Sequence, residues 1–407
     1  MSARMPLEGV RVTDFTWIGA GSYASKILAD FGADVVKIES SKRVDSLRLA
    51  PPYKDGIRGV NRSGYFADRN TSKRSITLDM KHPEALGLVK RLIAKSDIIA
   101  NNFTPGVMDR FGLDYDSVRR VRPDIIYLSM SMQGATGPQS GYLGYGSSMA
   151  SVTGFQYLTG LPGREPAGTG TNYPDHVPNP CHAAFAVLAA LRHRRRTGEG
   201  QRIDIAQTEP TIALLGPAIL DLTVNGRLQQ PRGNDHVTAA PYGVYRCRGD
   251  DRWIAICVMN DDQWNSLRAV LGNPAWMEDP VWQRQQNRHD HRAMLAGKLN
   301  AETANWVAEE LMQALQSRGV PAGVVETAED VIKHDPQLAH RNHWISLDHP
   351  EMGRTLYNAP PFRCTRTPVG LSKPAPLLGE HTREICRELM DLSEEEIQRF
   401  EAAGVFV

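Results

Sequence analysis

The chain has 407 residues, 41% hydrophobic and 23% charged, and 47 basic against 46 acidic side chains leave a formal net charge of +1. Those proportions exclude a disordered, collagenous or fibrous chain, and the charge balance excludes a general affinity for nucleic acid or an anionic membrane, so an anionic ligand must be held by a local cluster. The longest all-apolar run, Ala183–Leu191, is far short of the roughly 20 residues of a bilayer span, the start Met1–Pro6 lacks a secretory apolar stretch, and five scattered cysteines form no CxxC pair, so a cytoplasmic protein with reduced thiols is expected.

In chain order, Val10–Asp14 reads as a strand, Ser22–Phe31 as a helix, Ala33–Ile38 as a strand and His82–Ser96 as a helix. Asp97–Ala100 and Asp124–Ser129 are two more strands. Strands alternating with helices predict βαβ crossovers and a mainly parallel sheet. Met132–Pro180 is rich in Gly, Pro, Ser and Thr, and a stretch of that kind in a compact domain is usually functional. Asn179-Pro180 reads as a helix cap for Cys181–Arg196, which Gly198 closes. Strands at Tyr242–Cys247, Trp253–Val258 and Ala322–Glu326, with helices at Trp264–Leu271 and Ala304–Gln316, predict a smaller α+β domain over 225–330. Residues 1–224 form the large domain, and 331–407 end in the amphipathic helix Ser393–Ala402.

Gly19-Ala-Gly-Ser-Tyr-Ala24 is a G-x-G-x-x-A turn between strand and helix, followed by Glu39 at the end of the next strand. It reads either as a dinucleotide fingerprint or as a tight turn needing small residues. No P-loop motif occurs. Lys73-Arg74 precedes a strand and suits phosphate, or is an ordinary surface pair. Asn102-Phe103 with Arg110 follows a strand end, where open α/β sheets bind ligands. There Asn can bond an adenine or amide edge, Phe can stack and Arg can hold phosphate; the alternative is a plain turn. Asp175 precedes the long apolar helix, whose dipole would favour its ionised form, and reads as a nucleophile, a base or a turn cap. His176 and His182 beside Cys181 have poor ligand spacing, so no metal is assigned.

Taken together, Pro6–Thr16, Phe31–Glu39, Lys73–Asp79, Asn102-Phe103 with Pro105-Gly106, Arg194–Gly200 and Pro376–Thr382 resemble the family III CoA-transferases, which include formyl-CoA and carnitine CoA-transferases. The resemblance implies a Rossmann-like large domain with a parallel sheet, a smaller inserted α+β domain, and an interlocked homodimer or a heteromer with a homologous chain. It makes coenzyme A the ligand of the glycine turn in place of NAD. It also implies that Asp175 attacks an acyl-CoA thioester, giving an aspartyl anhydride and then an aspartyl-CoA thioester that passes CoA to an acceptor acid. Coenzyme A contacts carry over onto Ala20, Leu78, Asn102, Phe103 and Arg110, with Arg74 as a phosphate candidate. Trp17 and Gly19 stand where the formyl-CoA enzyme has polar side chains. Ser40 replaces an arginine, for which Arg43 or Arg48 is the substitute.

Gly144-Tyr145-Gly146 stands where the related α-methylacyl-CoA racemases carry Gly-His-Asp, which argues against racemisation. Gly146-Ser147 also replaces a supporting Tyr-Glu pair, and no glycine-rich lid is evident near 225–245. Small residues there leave room for an acid larger than oxalate, a dicarboxylate or an aromatic acid, with succinyl-CoA as donor and a benzylsuccinate-type branch in view. Two alternatives stand beside this reading: an NAD-dependent oxidoreductase resting on Gly19–Ala24 and Glu39, and a non-catalytic CoA-binding subunit.

Overall fold

The computed structural model describes residues 4–407. Six short strands form one parallel sheet: β1 (Arg11–Asp14), β2 (Asp34–Glu39), β3 (Arg74–Thr77), β4 (Ile98–Asn101), β5 (Ile126–Ser129) and β6 (Gln201–Asp204). They lie in the order β3-β2-β1-β4-β5-β6. Because β1 pairs β2 on one side and β4 on the other, the winding reverses there, and a crevice opens beyond the carboxyl ends of β1 and β4.

The five strands β1 to β5 are largely buried on both faces, as apolar strands of a parallel sheet must be, and only the edge strand β6 is not. Val36, Ile38, Ile99 and Tyr127 point into one core, with Leu88, Leu92 and the C-terminal residues Ile385, Leu389, Ile397 and Phe400. Val12, Val35, Ile98, Ile126 and Leu128 point into the other, with Ala24 and Leu28 of the helix Ile18–Asp30 and Val187 and Leu191 of the helix Pro178–Thr197. Neighbouring residues on one strand serve opposite cores because side chains alternate along it. The C-terminus returns to the sheet edge, where the Asp79 N–H donates to Val405 and the His381 N–H to Ser75.

These elements belong to a unit made of residues up to Tyr157, Gly168–Gln229 and Gln337–Val407. It also holds the antiparallel hairpin β10 (Trp344–His349) and β11 (Gly353–Asn358). The second unit is Leu158–Ala167 with Gln230–Pro336. Its antiparallel sheet β7 (Tyr242–Arg246), β8 (Trp253–Cys257), β9 (Ala322–Val324) packs with Trp264, Leu299 and Leu311. Leu158–Ala167 joins this unit although it precedes Asp175 in the chain, with the Gly233 N–H donating to Gly160. Among the described residues no helix is long and apolar enough to cross a membrane.

Two local expectations are corrected. The long helix begins at Pro178 with Val177 as its cap, not at Asn179-Pro180. Asn179 lies inside the helix, fully buried, with its side-chain amide 3.4 Å from Gln207. The irregular stretch after Met132 carries the short helices Gly146–Val152 and Tyr173–His176.

Candidate active site

A cavity of about 990 Å³ fills the crevice at the winding reversal. The segment after β1 supplies Trp17, Ile18, Gly19 and Ala20 to its wall, and the segment after β4 supplies Asn102 and Phe103. Leu78, Arg110, Tyr145 and Asp175 complete the part of the wall that matters here. Six of the seven residues singled out in the sequence therefore face one space: Asp175, Ala20, Leu78, Asn102, Phe103 and Arg110.

Arg74 does not. Its guanidinium bonds both oxygens of Asp34 at 2.9 and 2.7 Å and reaches Glu384 at 2.8 Å, tying β3 to β2 and to the helix Thr382–Met390. The two arginines considered beside Ser40 lie in different places. Arg43 lines the cavity, 5.6 Å from the Trp17 ring centre, whereas Arg48 is fully buried and grips both oxygens of Glu39 at 2.8 and 2.7 Å. Glu39 is thus engaged in a buried ion pair and not free to meet a ribose. Lys42 and Lys81 line the same cavity and were not singled out from sequence; isolated lysines after strands carry no local signal.

Asp175 sits in the one-turn helix Tyr173–His176 and is only 4% exposed. Two glycines make its socket. A Cβ on Gly19 would lie 2.7 Å from the Asp175 Cβ, and one on Gly146 would lie 2.7 Å from Oδ2, both closer than real atoms approach. The Gly146 N–H donates to Oδ2 at 3.1 Å. At Gly146 the missing side chain therefore makes room for the nucleophile candidate itself, not for a larger acid. Gly21 does the same for Asn102, whose Cγ would lie 2.7 Å from an added Cβ. Gly19 and Gly21 of the motif thus each make room for one polar side chain, Asp175 and Asn102.

Burial raises the Asp175 pKa to about 6, outweighing the opposing effects of the Gly146 N–H and the Arg69 charge. This departs from the helix-dipole expectation: the desolvation cost of a buried carboxylate is larger than a helix-end effect. At neutral pH the group is still mostly ionised, yet it has one hydrogen bond where water would offer several. Next to it, burial pushes His176 down to about 4. Its ring nitrogens face Tyr65 Oη at 2.9 Å and Thr171 Oγ1 at 3.0 Å. His176 is therefore a neutral neighbour.

Chemically, the site offers a poorly solvated carboxylate on the wall of a cavity with cationic and aromatic side chains. Such a group can attack an activated acyl carbon and be shielded from water while doing so.

Comparison with known proteins agrees over nearly the full length. Residues 7–382 match CoA-transferase family III. The succinate–glutarate CoA-transferase of Agrobacterium fabrum is 33% identical over 94% of this chain and 96% of its own. The succinyl-CoA–D-citramalate CoA-transferase of Chloroflexus aurantiacus is 32% identical over 98% of each chain. The crystal structure of a CAIB/BAIF family protein from Brucella suis superposes with a TM-score of 0.87 at 33% identity, covering 95% of this chain and all of that one.

Proposed function

The chain belongs to CoA-transferase family III, and from that premise we propose that Asp175 is the nucleophile of a transfer of CoA from succinyl-CoA to an aliphatic dicarboxylic acid. The observation that carries this is the Asp175 carboxylate, buried in the Gly19 and Gly146 socket on the wall of the cavity. The acid class rests on the two named relatives, whose substrates by name are dicarboxylates; neither name favours the aromatic branch.

The steps balance without an outside energy source. An Asp175 oxygen attacks the thioester carbonyl carbon, the C–S bond breaks, and CoA thiolate leaves an aspartyl–acyl anhydride. The thiolate attacks the Asp175 carbonyl carbon, expelling the donor acid as a carboxylate and leaving CoA on Asp175. The acceptor carboxylate then repeats both steps in reverse, and Asp175 is regenerated. One thioester replaces another, so ATP is not required, and four acyl substitutions replace one difficult displacement. Water would hydrolyse the anhydride; the deep burial of Asp175 opposes this.

Lys42, Arg43, Lys81 and Arg110 suit the phosphates of coenzyme A, and Trp17 and Phe103, edge to face at 5.8 Å, suit its apolar and aromatic parts. With Arg74 engaged elsewhere, Arg43 takes the place of the phosphate candidate. A second copy of the chain is the partner we assign to the apolar helix Gly216–Asn225, on which no residue is buried.

The test is intact-protein mass spectrometry after mixing the chain with succinyl-CoA. A CoA-sized mass gain, labile to hydroxylamine, mapped to Asp175 and absent in Asp175→Asn, is expected. An adduct that persists in Asp175→Asn, or no adduct and no exchange in the wild type, would overturn the assignment.

A further inference from the structure

Ile18 has φ of +60°, a left-handed conformation that a β-branched residue adopts only under constraint. Four backbone groups around it are tied by side chains from elsewhere. The Asn102 side chain accepts from the Trp17 N–H at 2.8 Å and donates to the Trp17 carbonyl at 2.7 Å, an amide-to-amide clamp closed at both ends. The fully buried Asp45 accepts from the Ile18 N–H at 3.1 Å. Lys37, held by Asp45 at 3.0 Å, donates to the Thr16 carbonyl at 2.6 Å. The residue after this turn is Gly19, the wall of the Asp175 socket.

We propose that Asn102 is a positioning residue of the transfer reaction, acting on Asp175 through the Trp17–Gly19 turn and not through a contact with coenzyme A. The inference rests on Asp175 being the nucleophile. An amide that bonded the substrate would first have to release Trp17, and Gly21 is the glycine that admits the Asn102 side chain to its place. Without the clamp, Ile18 relaxes toward negative φ and Gly19 shifts against the carboxylate. None of the cations assigned to the phosphates is bonded to the clamp, and only Arg43, which packs on the Trp17 ring, touches the turn.

Asn102→Ala removes both bonds, and Asn102→Asp keeps the acceptor for the Trp17 N–H while turning the donor into an oxygen facing the Trp17 carbonyl. Steady-state kinetics should show kcat down ~10–100-fold for each, because a displacement of about 1 Å at a reacting group has that effect. KM for succinyl-CoA should stay within about threefold, the pattern of a lost transition-state alignment rather than lost uniform binding. Adding Ile18→Gly to either variant lets the turn hold positive φ without strain and should restore part of kcat. Circular dichroism melting checks folding, and the isosteric Asn102→Asp carries the test if Asn102→Ala does not fold. A raised KM with intact kcat would overturn the proposal in favour of substrate binding, as would the absence of any rescue by Ile18→Gly. Formation of the Asp175 adduct by the wild type is read separately, so failure of the nucleophile assignment and failure of the positioning role are distinguishable.

Discussion

At the scale of a single residue, the raised pKa of Asp175 ties catalysis and stability together. The nucleophile must be ionised, so kcat/KM should climb with pH and reach a plateau above about 6, with an acid limb titrating near that value. A profile flat down to pH 4.5 would sink the assignment. The sign for stability is opposite. A carboxyl whose pKa rises from 3.8 to about 6 on folding costs nothing below 3.8, costs progressively more between the two values, and costs most above about 6. Asp175→Asn should therefore abolish transfer yet stabilise the protein at pH 7.5 by at most about 3 kcal/mol, on the scale of roughly 1.4 kcal/mol per pKa unit. Calorimetric melting at pH 7.5 and pH 4 checks this, since most of the gain must be lost at the lower pH. Little of it was legible locally: the residue pattern leaves Asp175 as a nucleophile, a base or a turn cap, and the resemblance is what favours the nucleophile. Its burial depends on Gly19 and Gly146, which are distant in sequence, and no periodicity encodes such a meeting.

Among the elements, the sequence displayed β1, β2, β4 and β5, whose apolar runs are buried on both faces, a strand after Lys73-Arg74 where β3 lies, and the small-domain strands β7, β8 and β9. The strand β6, Gln-Arg-Ile-Asp at the sheet edge, alternates half-buried and exposed residues and gives no apolar run to read. The hairpin β10–β11 escaped for the same reason, since most of its residues are exposed or half-buried. Charge was also ambiguous. Lys73-Arg74 looked like a phosphate cradle, but Lys73 is buried on Asp14, Ser25 and Asn70, and Arg74 crosses to Asp34 and Glu384. A sequence shows that a cation is present but not which carboxylates the fold brings to it. Arg74→Met should accordingly leave KM for succinyl-CoA unchanged while destabilising the fold by ~1–3 kcal/mol, the range for stranding buried charged hydrogen bonds. Denaturant titration beside kinetics measures both; a KM rise of tenfold or more without loss of stability would return Arg74 to the substrate.

At the scale of the molecule, the first unit carries more exposed apolar surface than its own core can explain. On the helix Gly216–Asn225, Ile219, Leu220, Leu222 and Val224 are all exposed, Val224 to 74%, and Phe185 on the long helix is likewise 74% exposed. A helix apolar on several sides is stable in water only when other protein surrounds it, and monomeric proteins rarely expose contiguous patches of this kind. Isolated apolar side chains would need no explanation, but four within one short helix do. The second copy proposed above would supply the cover, because the same surface is then available on every copy and one contact satisfies two helices at once. The chain should therefore sediment as a dimer or larger species at micromolar concentration. Leu220→Asp combined with Val224→Asp places two charges where burial is required, and should shift the protein to monomer and lower its melting temperature. Analytical ultracentrifugation of wild type and double variant decides it: a wild-type monomer, or a double variant with unchanged mass and melting, would show that this helix is not a contact between copies.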